Sequence, residues 1–201
     1  MKIMFISLKG GQGKTTHAMS YAHHKGWKVI SNDVTNGTLE TYQDYFSKGQ
    51  LKIIKPGEQI PTDQDKTVYD FGGWGDSRII QVTKAVDLCV IPIFCKSNAD
   101  IIPAIKTINT IQPHNNNILI LINMTERQLA SELEDVLKGQ YHYPILKINN
   151  SNFVNRFANQ GETIFDIEKK GGLERSNLIR HGLLQQYTEL YNYLDNAGKH
   201  E

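Results

Sequence analysis

The chain has 201 residues, a formal net charge of +1, 39% hydrophobic residues and 21% charged residues. That length predicts one domain over residues 1–201 with a proper core. The composition excludes disordered, collagen-like and membrane classes, and the balanced charge excludes a uniformly basic nucleic-acid binder while allowing a local basic face.

Taken in chain order, short apolar runs alternate with longer helical patterns. "KIMFISL" predicts a first strand, too short for a signal segment or a membrane span. The stretch "KGGQGKTT" follows it, and "TTHAMSYAHHKG" predicts a helix closed by Gly26. "WKVISND", "LKIIK" and "TVYDF" predict the second, third and fourth strands, with a helix from about Asp76 to Val86 after the last. "LCVIPIF" predicts a buried strand and "ADIIPAIKTINTI" a helix. "NILILIN" predicts a strand, "ERQLASELEDVLKG" a helix and "YPILKI" the last strand, with a helix over Asn149–Gln160. Leu183, Tyr187, Leu190 and Leu194 recur at steps of three and four. They form one face of an amphipathic helix suited to packing against the sheet edge.

Strand–helix alternation with continuously apolar strands implies a single three-layer α/β domain with a mostly parallel sheet. The two cysteines, Cys89 and Cys95, lie in or beside one apolar strand and read as buried thiols. No CxxC pair and no histidine ligand spacing suggests zinc or redox chemistry. A reducing, cytoplasmic setting is the expectation.

The glycine-rich stretch follows a strand and opens a helix, the context a phosphate-binding loop needs. Glycines let successive backbone N–H groups converge on an anion, and the helix N-terminus adds partial positive charge. Lys14 is then the cation for β- and γ-phosphates, Thr15 a hydroxyl for Mg²⁺, and Thr16 a donor to a phosphate oxygen. The standard pattern wants glycine at position 8, where Leu8 stands. Instead Lys9, Gly10, Gly11, Gln12, Gly13, Lys14 and Thr15 spell K-G-G-x-G-K-T.

This resembles the deviant Walker A motif of the ParA/MinD family of P-loop ATPases, and the similarity extends along nearly the whole chain. The resemblance implies an α/β/α P-loop fold, ATP/ADP and Mg²⁺ as ligands, and ATP-dependent homodimers in which Lys9 reaches the partner's nucleotide. A second cation there would stabilise developing charge on the leaving oxygen. "VYDFGGWGD" is similar to the family's Walker B aspartate and switch II. It implies Asp70 for the Mg²⁺ shell and Gly72 or Gly73 for sensing the γ-phosphate. "LCVIPIFCKSNADIIPAIKTI" is similar to the family's V-I-P strand and the helix after it. "ILILIN" points to Asn123 beside the adenine, and "NFVNRFANQGETIFD" is similar to a late arginine helix and its turn.

The closest resemblance is to small ParA-type partition proteins. A strand beginning at residue 2 leaves no helix-turn-helix ahead of it, and the tail "LDNAGKHE" is too polar for a membrane helix like that of MinD. The implied partners are therefore a second copy, nonspecific DNA and a centromere-binding protein, without a membrane, at the nucleoid. Between Lys138 and His181, seven Lys or Arg face four Asp or Glu. Lys169, Lys170, Arg175 and Arg180 are the candidate DNA contacts, with a solvated face as the alternative.

Switch I departs from the family. Asp33 matches the first aspartate of D-x-D-P-Q, but Thr35 replaces the second, and Asn36 and Gly37 follow. Either hydrolysis is weak, or the register shifts and Asp33 takes the role. Weak hydrolysis would suit an ATP-switched scaffold for conjugation, secretion or cell positioning. A third reading, an ATP-dependent ligase of the same superfamily, is disfavoured by Lys9. A reductase with a shared iron–sulfur cluster ranks last, because Cys89 and Cys95 are not in polar loops.

Overall fold

A computed structural model describes residues 1–33, 37–72, 77–96 and 100–197. Its seven strands are β1 (Lys2–Ser7), β2 (Lys28–Ser31), β3 (Leu51–Ile53), β4 (Thr67–Gly72), β5 (Leu88–Ile93), β6 (Ile118–Thr125) and β7 (Ile145–Asn149). They form one sheet in the order β3-β2-β4-β1-β5-β6-β7, and every pairing is parallel.

The continuous apolar runs are explained by burial on both faces. Along β1, Ile3 and Phe5 enter one core while Met4 and Ile6 enter the other. Leu119 and Leu121 of β6 join the first, and Ile118, Ile120 and Ile122 the second. The first core is closed by α1 (Lys14–Lys25), α6 (Arg156–Gln160), α7 (Ile164–Lys170), α8 (Gly172–Arg180) and α9 (Leu183–Asn196). The second is closed by α3 (Arg78–Ala85), α4 (Ile101–Ile111) and α5 (Arg127–Gln140). This is the three-layer α/β/α arrangement expected from the alternation.

Local signals account for the element ends. Gly26 stops α1 in the left-handed conformation, with its N–H on the carbonyls of Ala22 and His23. In α9, Leu183, Tyr187, Leu190 and Leu194 are all buried, and the helix packs on β7. Each such side chain contributes roughly 1.5–3 kcal/mol of burial.

Two expectations are corrected. Asn149 ends β7 rather than starting a helix, and helical structure begins as a 3₁₀ turn at Asn152–Asn155 before α6. The Ser151 side chain accepts the Phe153 N–H there and sets that start. The second strand stops at Ser31, where the Asn32 side chain turns onto Gly72 and the Asp33 N–H bonds back to Ser31 Oγ. Sequence periodicity also gave no warning of α2 (Thr38–Tyr42) or of α7 and α8 as separate short helices. A capping box, Thr163 with Asp166, starts α7.

Aromatic contacts from α6 meet α2 and the 3₁₀ turn that follows it. Tyr42 stacks on Phe157 with ring centroids 5.8 Å apart, and Tyr45 meets Phe157 at 5.5 Å. Gly161 has φ +68°, and a Cβ there would lie 2.6 Å from the Tyr45 ring. Both constraints require glycine. Gly161→Ala is therefore expected to lower the unfolding free energy by about 1–3 kcal/mol, read from urea denaturation midpoints at unchanged m.

Candidate nucleotide-binding site

The loop between β1 and α1 sits at the C-terminal end of the central strand, next to the end of β4. Gly11 and Gly13 adopt φ of +72° and +84°, where a β-carbon would be strained. A Cβ on Gly13 would also collide with the Asn123 side chain.

Polar groups from distant segments hold the loop. The Leu8 N–H donates to Thr107 Oγ1 of α4 at 3.2 Å, and the Lys9 N–H to Ser7 Oγ at 3.2 Å. Gln12 is buried, and its Oε1 accepts the Phe94 N–H at 2.9 Å, fastening the loop to the end of β5. Asn123 is buried beneath the loop. Its Nδ2 donates to the Gln12 carbonyl at 3.1 Å, and its Oδ1 meets His17 Nε2 at 2.8 Å. The side chain expected beside an adenine thus braces the phosphate loop here.

Lys14 lies along the end of β4, where a Cβ on Gly72 would be 2.5 Å from its Cε and 2.8 Å from its Nζ. The Gly72 N–H donates to Asn32 Oδ1 at 3.0 Å, and the Gly72 carbonyl accepts from Asn32 Nδ2 at 3.1 Å. The candidate γ-phosphate sensor is therefore engaged by the end of β2. Thr16 lies beside Tyr42, whose hydroxyl burial pushes up to about 12.

Asp70 is buried and pairs in register with Phe5 of β1 and Ser31 of β2. Its Oδ2 accepts from Thr15 Oγ1 at 2.9 Å and from Ser31 Oγ at 3.0 Å. Its Oδ1 is buried with no hydrogen-bond partner among the described residues. Burial raises the carboxyl's pKa, against the opposing pull of Lys14, Thr15 and Ser31. A hydroxyl beside a carboxylate with a bare buried oxygen is an oxygen donor set suited to hydrated Mg²⁺. The residues present thus fit the ion as well as the phosphates.

Among the described residues, the Asp33 N–H donates to Ser31 Oγ at 3.1 Å, and its Oδ2 accepts from Thr38 Oγ1 at 3.0 Å. It lies near enough to raise the Asp70 pKa further. Thr35, Asn36 and Gly73 lie outside the described residues. Lys9 turns its ammonium onto the Asp100 carboxylate of its own chain.

The four candidate DNA contacts fall on α7 and α8 and are exposed. Lys170 is ion-paired with Glu162. Among the described residues, Lys169, Arg175 and Arg180 form no ion pair. Arg156 is ion-paired with Glu162 and Glu174, so it is engaged within the chain. An open cleft of about 680 Å³ runs beside the ends of β6 and β7, with Arg180 and His181 in its wall and no phosphate-loop residue. Among the described residues, no helix is long and apolar enough to cross a membrane. Cys89 and Cys95 are both buried, and burial pushes the Cys89 thiol up to about 12.

Sequence reading missed Ser31, Asn32, His17 and Thr107 as parts of the site, and Asp100 as the contact of the Lys9 side chain outside it. Only Ser31 and Asn32 carried a local signal, as polar residues ending an apolar strand just before Asp33.

His17 is fully buried, and desolvation lowers its pKa from 6.5 to about 4 despite the Asn123 hydrogen bond. The folded chain therefore binds fewer protons than the unfolded chain between those values. The stability is complete above about pH 6.5 and is lost as pH falls toward 4. Wild type is expected to lose about 2 kcal/mol from this group between pH 7.5 and 5. His17→Gln should lack that increment in paired urea titrations.

No family model matches the chain, and no curated protein matches it. Solved structures do. Nucleotide-free McdA from Cyanothece has 18% identity over 82% of this chain and 92% of its own, with a TM-score of 0.62. A plasmid partition protein from Borrelia burgdorferi B31 bound to AMPPNP has 15% identity over 94% and 98%, with a TM-score of 0.56. The MinD cell division protein of Aquifex aeolicus has 17% identity over 84% and 89%, with a TM-score of 0.54. At these identities the likeness is one of fold, and the fold of this chain is that of the ParA- and MinD-type P-loop ATPases.

Proposed function

We propose that this chain is an ATP- and Mg²⁺-dependent ParA-type ATPase that dimerises on ATP, binds DNA without sequence preference and drives plasmid or chromosome partition. The observation that carries the reading is the Thr15–Asp70 hydrogen bond beside the bare Asp70 Oδ1, set under a loop that ends in Gly13-Lys14-Thr15. The AMPPNP-bound partition protein with the same fold supports ATP as the nucleotide.

In this reading the loop N–H groups and Lys14 bind the β- and γ-phosphates. Thr15 and Asp70 hold Mg²⁺, which supplies charge neutralisation on those phosphates. Asp33 is the described carboxylate best situated to orient the attacking water. Lys9 of each subunit reaches the nucleotide of the other, so hydrolysis depends on dimerisation. Lys169, Lys170, Arg175 and Arg180 provide the phosphate-backbone contacts, and a centromere-binding protein triggers release. The dimer acts at the nucleoid in the cytoplasm.

The expected outcome in light scattering coupled to size exclusion is a monomer with ADP and a dimer with a non-hydrolysable ATP analogue plus Mg²⁺. Lys9→Ala should remain monomeric in both. The analogue-loaded wild type should shift DNA at low salt, with log affinity falling linearly as log salt rises. No DNA shift at low salt would sink the partition reading.

A second reading, a slowly hydrolysing ATP-switched scaffold, is favoured by Thr35 where the family carries an aspartate. The two separate on turnover. If Asp33 orients the water, Asp33→Asn lowers kcat by about 10²-fold or more with nucleotide affinity retained. Under the scaffold reading, turnover with DNA and partner protein is already near zero and Asp33→Asn leaves it there.

A further inference from the structure

We propose that Asp100 is the resting partner of Lys9, an intrachain latch that the partner subunit's nucleotide must displace before the ATP dimer closes. The inference rests on the reading above and adds to it what holds Lys9 before dimerisation.

The Lys9 backbone is fixed. Its own N–H is on Ser7 Oγ, and the preceding N–H is on Thr107 of α4. Only its side chain has room to travel. Its ammonium rests on Asp100 Oδ1, 91 residues away in sequence. Asp100 is itself anchored, because its Oδ2 accepts the Lys96 N–H at 2.8 Å. The two side chains differ in exposure: Lys9 retains 38% and Asp100 only 12%. The lysine can therefore leave toward solvent, whereas the carboxylate is held in a largely dry position beside the start of α4.

Departure of Lys9 removes this cation from a largely buried carboxylate, which is unfavourable. A triphosphate presented by a second subunit carries far more negative charge than one carboxylate and offsets that loss. A diphosphate lacks the γ-phosphate oxygens and offsets less of it. The latch thus opposes closure on the wrong nucleotide and sets the concentration at which closure occurs. A two-fold symmetric dimer breaks two such pairs, so any effect per pair enters twice.

The test uses the whole chain with the non-hydrolysable ATP analogue and Mg²⁺, reading the dimer dissociation constant by sedimentation. Asp100→Asn keeps an oxygen for the Lys96 N–H and discharges the group. Asp100→Ser is the second variant, and melting temperatures check that both fold. A few-fold effect per pair, taken twice, gives an expected tightening of about tenfold in either variant. Affinity of the dilute monomer for a fluorescent ATP analogue should be unchanged. Adding Lys9→Ala should erase the gain, so that the double variant behaves as Lys9→Ala alone. A dimer that forms in the Asp100 variants and not in wild type supports the latch as well. Wild type that dimerises while both Asp100 variants dimerise equally or more weakly overturns the latch and leaves the ATPase reading standing. No dimer in any of these proteins overturns the trans role of Lys9, and the latch with it.

Discussion

A single buried carboxylate ties the site together. Asp70 accepts hydroxyls from Thr15 at the start of α1 and from Ser31 at the end of β2. Three segments far apart in sequence meet there because β4 lies between β1 and β2 in the sheet. An ionised carboxylate is costly to bury, and one oxygen with no partner makes it more so. Lys14 and the two hydroxyls offset part of that cost, yet burial still dominates the direction of the pKa shift. Such a site is at its most favourable when a cation arrives.

The phosphate loop has the opposite requirement: its N–H groups must stay unspent and converge on one point. Side chains cannot fill that concavity, so the loop must be held from beneath and from its edges. Asn123 does this from β6, Gln12 from within the loop by gripping the end of β5, and Thr107 from α4. Each brace is buried, so its hydrogen bond costs more to lose than it contributes when formed. The collision of any Gly13 Cβ with Asn123 shows how closely brace and loop approach. In the proposed phosphate-binding role, preorganisation of this kind would spare the loop from reorganising around an anion.

The sheet, its parallel sense and the loop were legible because their signals are local. Apolar runs of strand length separated by helical periodicity require burial on both faces, and glycines between strand and helix require a backbone left free to bind. Asp70 was named by resemblance, and the structure buries it within β4 against Thr15 and Ser31. The Thr107 brace and the Asp100 contact of Lys9 were not legible, since they acquire meaning only when α4 comes to lie beside the loop, 99 and 91 residues away in sequence. Asn123 was found by resemblance, yet its contacts here run to the loop and to His17. The helix expected over Asn149–Gln160 failed in its first turn because β7 keeps its ladder to Asn149 and Ser151 provides a cap only afterwards.

Switch I is where sequence pattern and geometry must be weighed together. Thr35 lacks the carboxylate of the family pattern, but the carboxylate two residues earlier is not idle. Asp33 is held by Ser31 through its N–H and by Thr38 through its Oδ2, and Ser31 in turn donates to Asp70. One hydroxyl therefore sets the spacing between the two acids. A water-orienting group gains from such rigidity, because its contribution depends on fixed geometry more than on basicity alone. Thr38 opens α2, and Tyr42 at the other end of that helix stacks on Phe157. The position of Asp33 is thus backed by an aromatic cluster reaching α6, which is more support than an incidental surface carboxylate would receive.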